Sequence, residues 1–191
     1  MSQYYFLVAS LPLLNYEQRD ARDPHEFLAL LTEHLSAADT ALVRGATIDP
    51  PEEPRPSACP TIRAWTAYER GLRNALVRLR AARMSTDPGQ HLRPDEYDDY
   101  GDGSAEIGEA AREAMGHDSP LSAEDALNRA RWLFLDELEV GHYFDLDQIA
   151  VYYLRLQILA RRRRFDHEQG TARFARISEQ IMNDYYQEQS E

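Results

Sequence analysis

Apolar residues recur at helical rather than strand spacing along nearly the whole chain. Phe27, Leu28, Leu30, Leu31 and Leu35 form one stripe, the recurrence expected of a helix with one buried face. Asp23, Pro24 and Glu26 precede it as N-cap, first-turn proline and third-position acid. Ser36 and Asp39 repeat the device ahead of Ala41, Leu42 and Val43, with Gly45 as the stop, so two short helices are predicted back to back. A long helix is predicted over 61–84, where Ile62, Trp65, Leu72, Leu76 and Leu79 fall at intervals of three, seven, four and three. Gly71 inside it costs about 1 kcal/mol relative to Ala and points to a close helix crossing. Weaker periodicity predicts a helix from Ser104 to Met115, stopped by Gly116. Ser122 and Asp125 open another, which runs through Trp132, Leu133, Leu135 and Leu138 to Gly141. Asp145 caps a segment that is apolar nearly all round, from Leu146 to Leu159, and is therefore expected at the centre of a bundle. Asp166 and Gln169 open a last helix with Phe174, Ile177, Ile181 and Tyr185 on one face.

Three stretches depart from this period. Tyr4 to Leu14 is an apolar run of 11 residues, far short of the ~20 needed to cross a bilayer. It has no preceding Arg or Lys, so no secretory n-region is recognisable. An isolated strand would find no partner, so the run reads as a short helix ending before Pro12. Asp49 to Pro60 carries five prolines in twelve residues and reads as an extended linker. Ser85 to Gly103 is a loop, acidic in its second half. The expected architecture is all-α: a helical bundle of about six to seven helices in a single domain, 1–191. Short helices would occupy 1–45, a Pro-rich linker 46–60 and the main bundle 61–191.

Composition narrows the chemistry. The 191 residues carry 33 acids against 21 bases, a net charge of -12, and every base is Arg. Without Lys there is no Schiff-base chemistry and no Walker-type phosphate loop. The negative balance argues against a general nucleic-acid binder. Cys59 is the single cysteine, which rules out an intramolecular disulfide and a cysteine-based zinc site. The default compartment is the cytoplasm, without direct membrane insertion.

Candidate sites each have a plainer reading beside them. Glu139 and His142 form one Glu-x-x-His, a ligand pair that di-iron bundles use twice; there is no second copy, and Gly141 ends the helix that would present it. Asp98, Asp102, Gly103 and Glu109 match positions 1, 5, 6 and 12 of a calcium loop. Position 3 is Tyr100, however, and Pro94 forbids the usual incoming helix, so a solvated acidic loop is expected. Arg161, Arg162, Arg163 and Arg164 could meet an anion or an acidic partner, although cations in a last helical turn also offset the dipole. No nucleophile elbow occurs, and Cys59 has no neighbouring His in sequence. No catalytic, metal or cofactor residues are expected. Interface candidates are these four arginines, Arg63, Arg70 and Arg73 on the polar side of the long helix, and Tyr185 and Tyr186 near the carboxy terminus, since Arg and Tyr anchor interfaces.

Several stretches in combination resemble a bacterial family of unknown function encoded beside V/A-type (vacuolar-like) ATPase subunits. They are YFLVASLPLL (Tyr5 to Leu14) with the following HEFLALL helix, RNALVRLRAARM (Arg73 to Met84), and above all Ala130 to Phe174. The recognisable points are Tyr5, Ala9-Ser10-Leu11-Pro12, Arg131-Trp132, Tyr143-Phe144-Asp145, and Phe165-Asp166 through Gly170. The resemblance implies a non-enzymatic helical accessory subunit or assembly factor of such an ATPase, linking the central stalk to the membrane ring. It supplies no catalytic residues to carry over. A helical maturation chaperone that grips an apolar peptide segment is the alternative expectation.

Overall fold

The structure is a computed structural model that describes residues 3–49, 57–93 and 104–164. Among these residues the fold is all-α, with seven α-helices and no strand. They are α1 (Gln3–Ser10), α2 (Pro24–His34), α3 (Ala37–Arg44), α4 (Pro60–Met84), α5 (Ala105–Gly116), α6 (Pro120–Glu139) and α7 (Leu146–Arg164). No described helix is long and apolar enough to cross a membrane. The chain divides into two compact units, 1–160 and 161–191. Of the second, the described residues are 161–164, the last turn of α7. The expected last helix from Asp166, with its Phe174, Ile177, Ile181 and Tyr185 face, lies outside the described residues, as do 50–56 of the proline segment and 94–103 of the acidic loop.

Caps set most helix starts where the sequence places them. Asp23 accepts from the His25 amide at α2, and Ser36 accepts from the Asp39 amide at α3. Ser104 accepts from the Ile107 amide at α5. Gly45 stops α3 with a right-handed φ of -71° rather than the left-handed cap that glycine usually supplies. Two helix starts come earlier than expected, both at a proline. α6 is capped at Ser119 and begins at Pro120, three residues before the start that a cap at Ser122 would give, because proline at the first helical position already holds the required φ. α4 likewise begins at Pro60. Its far end closes on Ser85 at φ 54°, with the Thr86 amide bonded to Ala81 O at 3.0 Å and the Ser85 amide to Ala82 O at 3.3 Å. A serine thus occupies the left-handed position that glycine takes more easily.

α7 lies in the core of the first unit: ten residues from Ile149 to Leu159 are buried, Gln157 being the half-buried exception. Even Gln157 is used, since its amide bonds Ala46 O and the Ile48 amide at 2.9 and 3.3 Å. The residues leading into the proline segment are therefore pinned: Ala46 and Ile48 are buried, and Trp65 Nε1 donates to Thr47 O at 2.8 Å. α2 meets α7 through Phe27, whose ring lies 5.1 Å from Tyr152 and 6.1 Å from Tyr153. α5 packs on α4 and α6 with small residues, burying Ile107, Ala111 and Ala114.

The join between α4 and α6 is polar at its centre. Glu69 is fully buried and Arg131 nearly so; Arg131 Nε donates to Glu69 Oε1 at 2.5 Å and Nη2 to Oε2 at 3.4 Å. The second face of the guanidinium bonds Asn128 Oδ1 at 3.1 Å and Glu124 Oε1 at 3.3 Å. Burial disfavours the charged arginine, yet Glu69 outweighs it and holds the guanidinium protonated more firmly than usual. Tyr68 stacks on Phe134 beside the pair, with ring centroids 4.0 Å apart and planes 8° apart. Burial first, then the Glu69 charge, pushes the Tyr68 hydroxyl above its ordinary range.

Removing one member of a buried pair leaves the other charge uncompensated, at a cost of roughly 3–5 kcal/mol. Glu69→Leu should lower the urea-unfolding free energy by about that amount. Glu69→Leu with Arg131→Met should recover a large part of it, because neither buried charge remains and the other partners, Arg73 and Glu124, are partly exposed. Equal losses in single and double variants would show that the loss comes from packing rather than from charge.

Candidate functional site

The most distinctive exposed region is the corner where α6 turns into α7. α6 ends because Val140 leaves the helix and Gly141 takes φ +89°, a conformation that L side chains rarely adopt. The chain then turns through His142, Tyr143 and Phe144, with the His142 amide bonded to Glu139 O at 3.0 Å. Asp145 opens α7 by accepting from the Gln148 amide at 2.9 Å, as its sequence position predicts.

A buried arginine braces this corner from inside. Arg155 Nη2 donates to Asp136 at 2.6 Å and to Glu139 at 2.5 Å, and its guanidinium lies 5.3 Å from the centre of the Trp132 ring. Gln148 Nε2 adds a 2.6 Å bond to the other Glu139 oxygen. Partial burial tends to raise the Glu139 pKa, but the bonds from Arg155 and Gln148 prevail and hold it below the usual carboxylate range. Gln148 Oε1 is closed to solvent and accepts from no donor. A cleft of about 320 Å³ opens here, lined by Asp136, Glu139, Val140, Gly141, His142, Tyr143 and Gln148.

Apolar residues stand around this cleft in water. Val140 is 80 % exposed, Tyr143 72 % and Phe144 43 %. α1 extends the surface, because Tyr5 packs on Phe144 at 4.7 Å and on Phe6 at 5.6 Å, and Phe6 is itself 70 % exposed. Single exposed apolar residues are ordinary; here several exposed apolar side chains are neighbours.

On the α7 side, His142, Asp145 and Asp147 bring potential ligand atoms within 4.8 Å of one another. Their present partners explain the cluster without an ion. His142 Nδ1 pairs with Asp145 Oδ2 at 2.7 Å. Asp147 caps α4 from across the bundle, accepting from the Thr61 amide and from Cys59 Sγ, each at 3.2 Å. It performs the capping that Cys59, the local N-cap residue, does not. Two helix N-termini thus meet two carboxylates, and the positive ends of those helices oppose a cation at the same point. Partial burial would raise the Asp147 pKa, but the bonds from Thr61 and Cys59 outweigh it and lower it. Cys59 is buried, and desolvation, with smaller contributions from Asp147, pushes its thiol up to about 12.

The other candidate residues are dispersed. Glu139 and His142 part company, the first to Arg155 and Gln148 and the second to Asp145. Arg63 is half-buried and ties Ser57 O and Ala58 O at 2.8 and 3.2 Å. Arg73 joins Asp49 at 2.9 Å and Ile48 O at 3.3 Å. Arg70, expected on the polar side of α4, is buried instead. Arg161, Arg162 and Arg163 are half-buried and Arg164 is exposed in the last turn of α7. Glu109 is exposed on α5, while Asp98, Asp102 and Gly103 lie outside the described residues, as do Tyr185 and Tyr186.

Sequence reasoning missed Glu69, Arg131, Arg155 and Asp147. The first has a visible signal: the interval of seven between Trp65 and Leu72 leaves the middle of the stripe to Tyr68 and Glu69. Asp147 has none, since its partners lie 86 and 88 residues away.

A family model described as a protein of unknown function (DUF2764) matches residues 59–185, about two-thirds of the chain. The chain belongs to the DUF2764 family. The matched span contains the Glu69–Arg131 pair and the whole α6–α7 corner of this DUF2764 protein, while Tyr5 and Phe6 precede it. No curated protein and no solved structure matches the chain.

Asp147→Ala should cost about 1 kcal/mol (range about 0.5–2) by uncapping α4. Because the Asp147 pKa is lowered by folding, its contribution is complete above the ordinary Asp range and disappears as the pH falls through the folded value. The stability gap between the native protein and Asp147→Ala, measured by urea unfolding, should therefore be full above the ordinary Asp range, near pH ~4, and narrow as the pH falls below it. Cys59, buried with its thiol near 12, should react with a disulfide reagent at about pH 8 only when denaturant is added; rapid labelling of the folded protein would contradict that environment.

Proposed function

We propose that this DUF2764 protein is a non-enzymatic, cytoplasmic accessory subunit or assembly factor of a bacterial V/A-type ATPase, positioned between the central stalk and the membrane ring. The observation that carries the reading is the exposed apolar surface of the α6–α7 corner: Val140, Tyr143 and Phe144, extended by Tyr5 and Phe6 from α1. Tyr143, Phe144 and Asp145 also belong to the stretch Ala130 to Phe174 on which the resemblance to the ATPase-linked family rests. An adaptor needs a stiff frame beneath such a surface. The buried Arg155 brace and the paired helix caps supply one, so that little ordering entropy is lost on docking.

The alternative, a maturation chaperone holding an apolar peptide, draws on the same exposed aromatics. The two readings differ in when the partner is held. A subunit stays with the finished complex, whereas a chaperone leaves it.

Affinity capture of the tagged protein from native membranes, followed by mass spectrometry, should recover stalk and ring subunits of the assembled ATPase. Val140→Ser with Tyr143→Ser should reduce that recovery at least several-fold without changing the melting temperature, since both side chains are exposed. Recovery without any ATPase subunit removes the proposal. Recovery of unassembled ring polypeptides alone transfers it to the chaperone reading.

A further inference from the structure

The last turn of α6 is charged against its own dipole. A helix C-terminus carries roughly half a negative charge and favours cations, yet this turn holds Asp136, Glu137 and Glu139 and no base. Among the described residues, one guanidinium, that of Arg155, pairs with both Asp136 and Glu139. Arg155 and the positive amino-terminal end of α7 offset part of this charge, and the carboxylate that faces solvent at the mouth of the 320 Å³ cleft is Asp136, half of whose side chain is exposed. Acceptors dominate the wall as well. Asp136 and Glu139 contribute carboxylates, while the Gln148 amide oxygen is closed to solvent and the His142 ring is held by Asp145.

We propose that this cleft receives the guanidinium of an arginine on a partner polypeptide, with Val140 and Tyr143 packing against apolar residues beside that arginine. The inference deepens the docking reading by naming the partner's chemistry, and it rests on the corner being a docking surface. Three features select this occupant. The cleft lies at the small end of ligand pockets, a fit for one side chain rather than a folded ligand. A guanidinium offers several donors in one plane for the edges of two carboxylates and can lie flat on an aromatic ring, here the largely exposed Tyr143. A free amine would leave Val140, Tyr143 and the aromatic ridge beyond them in water, whereas a polypeptide carries apolar neighbours to cover them.

The test uses the full chain and a fluorescein-labelled Leu-Arg-Leu peptide amide, read by anisotropy, beside the same peptide with citrulline, which keeps the shape and removes the charge. The arginine peptide should bind saturably, weaken as salt is raised, and lose at least about tenfold on replacement by citrulline, equivalent to ~1.4 kcal/mol. Asp136→Asn should weaken it too. Tyr143→Ser, at an exposed position whose replacement should leave the melting curve unchanged, should do the same and guards against misfolding of the first variant. Equal binding of the two peptides, or no saturable binding, overturns the inference. So does competition by spermidine combined with indifference to Tyr143→Ser, which would make the cleft a small-amine site. If the peptide binds as expected but no ATPase subunit is captured, the ATPase assignment fails and this inference stands; the reverse pair of results removes this inference alone.

Discussion

Taking a carboxylate and a guanidinium out of water costs several kcal/mol for each ion, recovered only where the geometry is good and the remaining hydrogen-bonding groups are satisfied. The pairing of Glu69 with Arg131 meets that condition. Two guanidinium nitrogens face the carboxylate, and the third turns to Asn128 and Glu124. The pairing therefore favours the register of α4 and α6 that brings Glu69 to Arg131, with Arg73 and Glu124 adding to each charge from its own helix. An apolar seam of the same length would leave sliding alternatives much less costly. Tyr68 on Phe134 and the small residues of α5 pack around that fixed point.

The α6–α7 corner inherits its rigidity from this register. With α6 held on α4, Arg155 reaches from α7 to Asp136 and Glu139, while Asp147 reaches from α7 to the start of α4. α7 therefore serves two helices besides its own. Charges that would be unfavourable on an isolated α6, acids at its negative end, become tolerable because Arg155 is delivered there by another helix. The residual negative charge and the exposed Val140, Tyr143 and Phe144 are then displayed on a frame that cannot easily collapse to hide them.

Much of the fold was legible in the residues, for identifiable reasons. The stripe from Phe27 to Leu35, the caps Asp23, Ser36, Ser104 and Asp145, and the all-round apolar α7 are local signals, each complete within a dozen residues. The stop at Gly141 is local as well, since a left-handed turn selects glycine. Where expectation slipped, a neighbour was responsible. Arg70 was placed on the polar side of α4 because arginine is rarely buried, but it is covered in the folded chain. The start of α6 moved to Pro120 because proline initiates a helix as readily as the Ser122 pattern does.

By itself, then, the sequence determined the helices, most of their ends, and which of them would be most deeply buried, since periodicity and capping act through neighbours along the chain. Tertiary structure decided which charges went inside and which apolar residues stayed out. Glu69 finds Arg131 across 62 positions, Asp147 finds Thr61 across 86, and Tyr5 reaches Phe144 from the opposite end of the first unit's sequence. An ion's partner and an aromatic ring's exposure depend on what packing brings within a few ångströms, and that distance is set only when the helices meet.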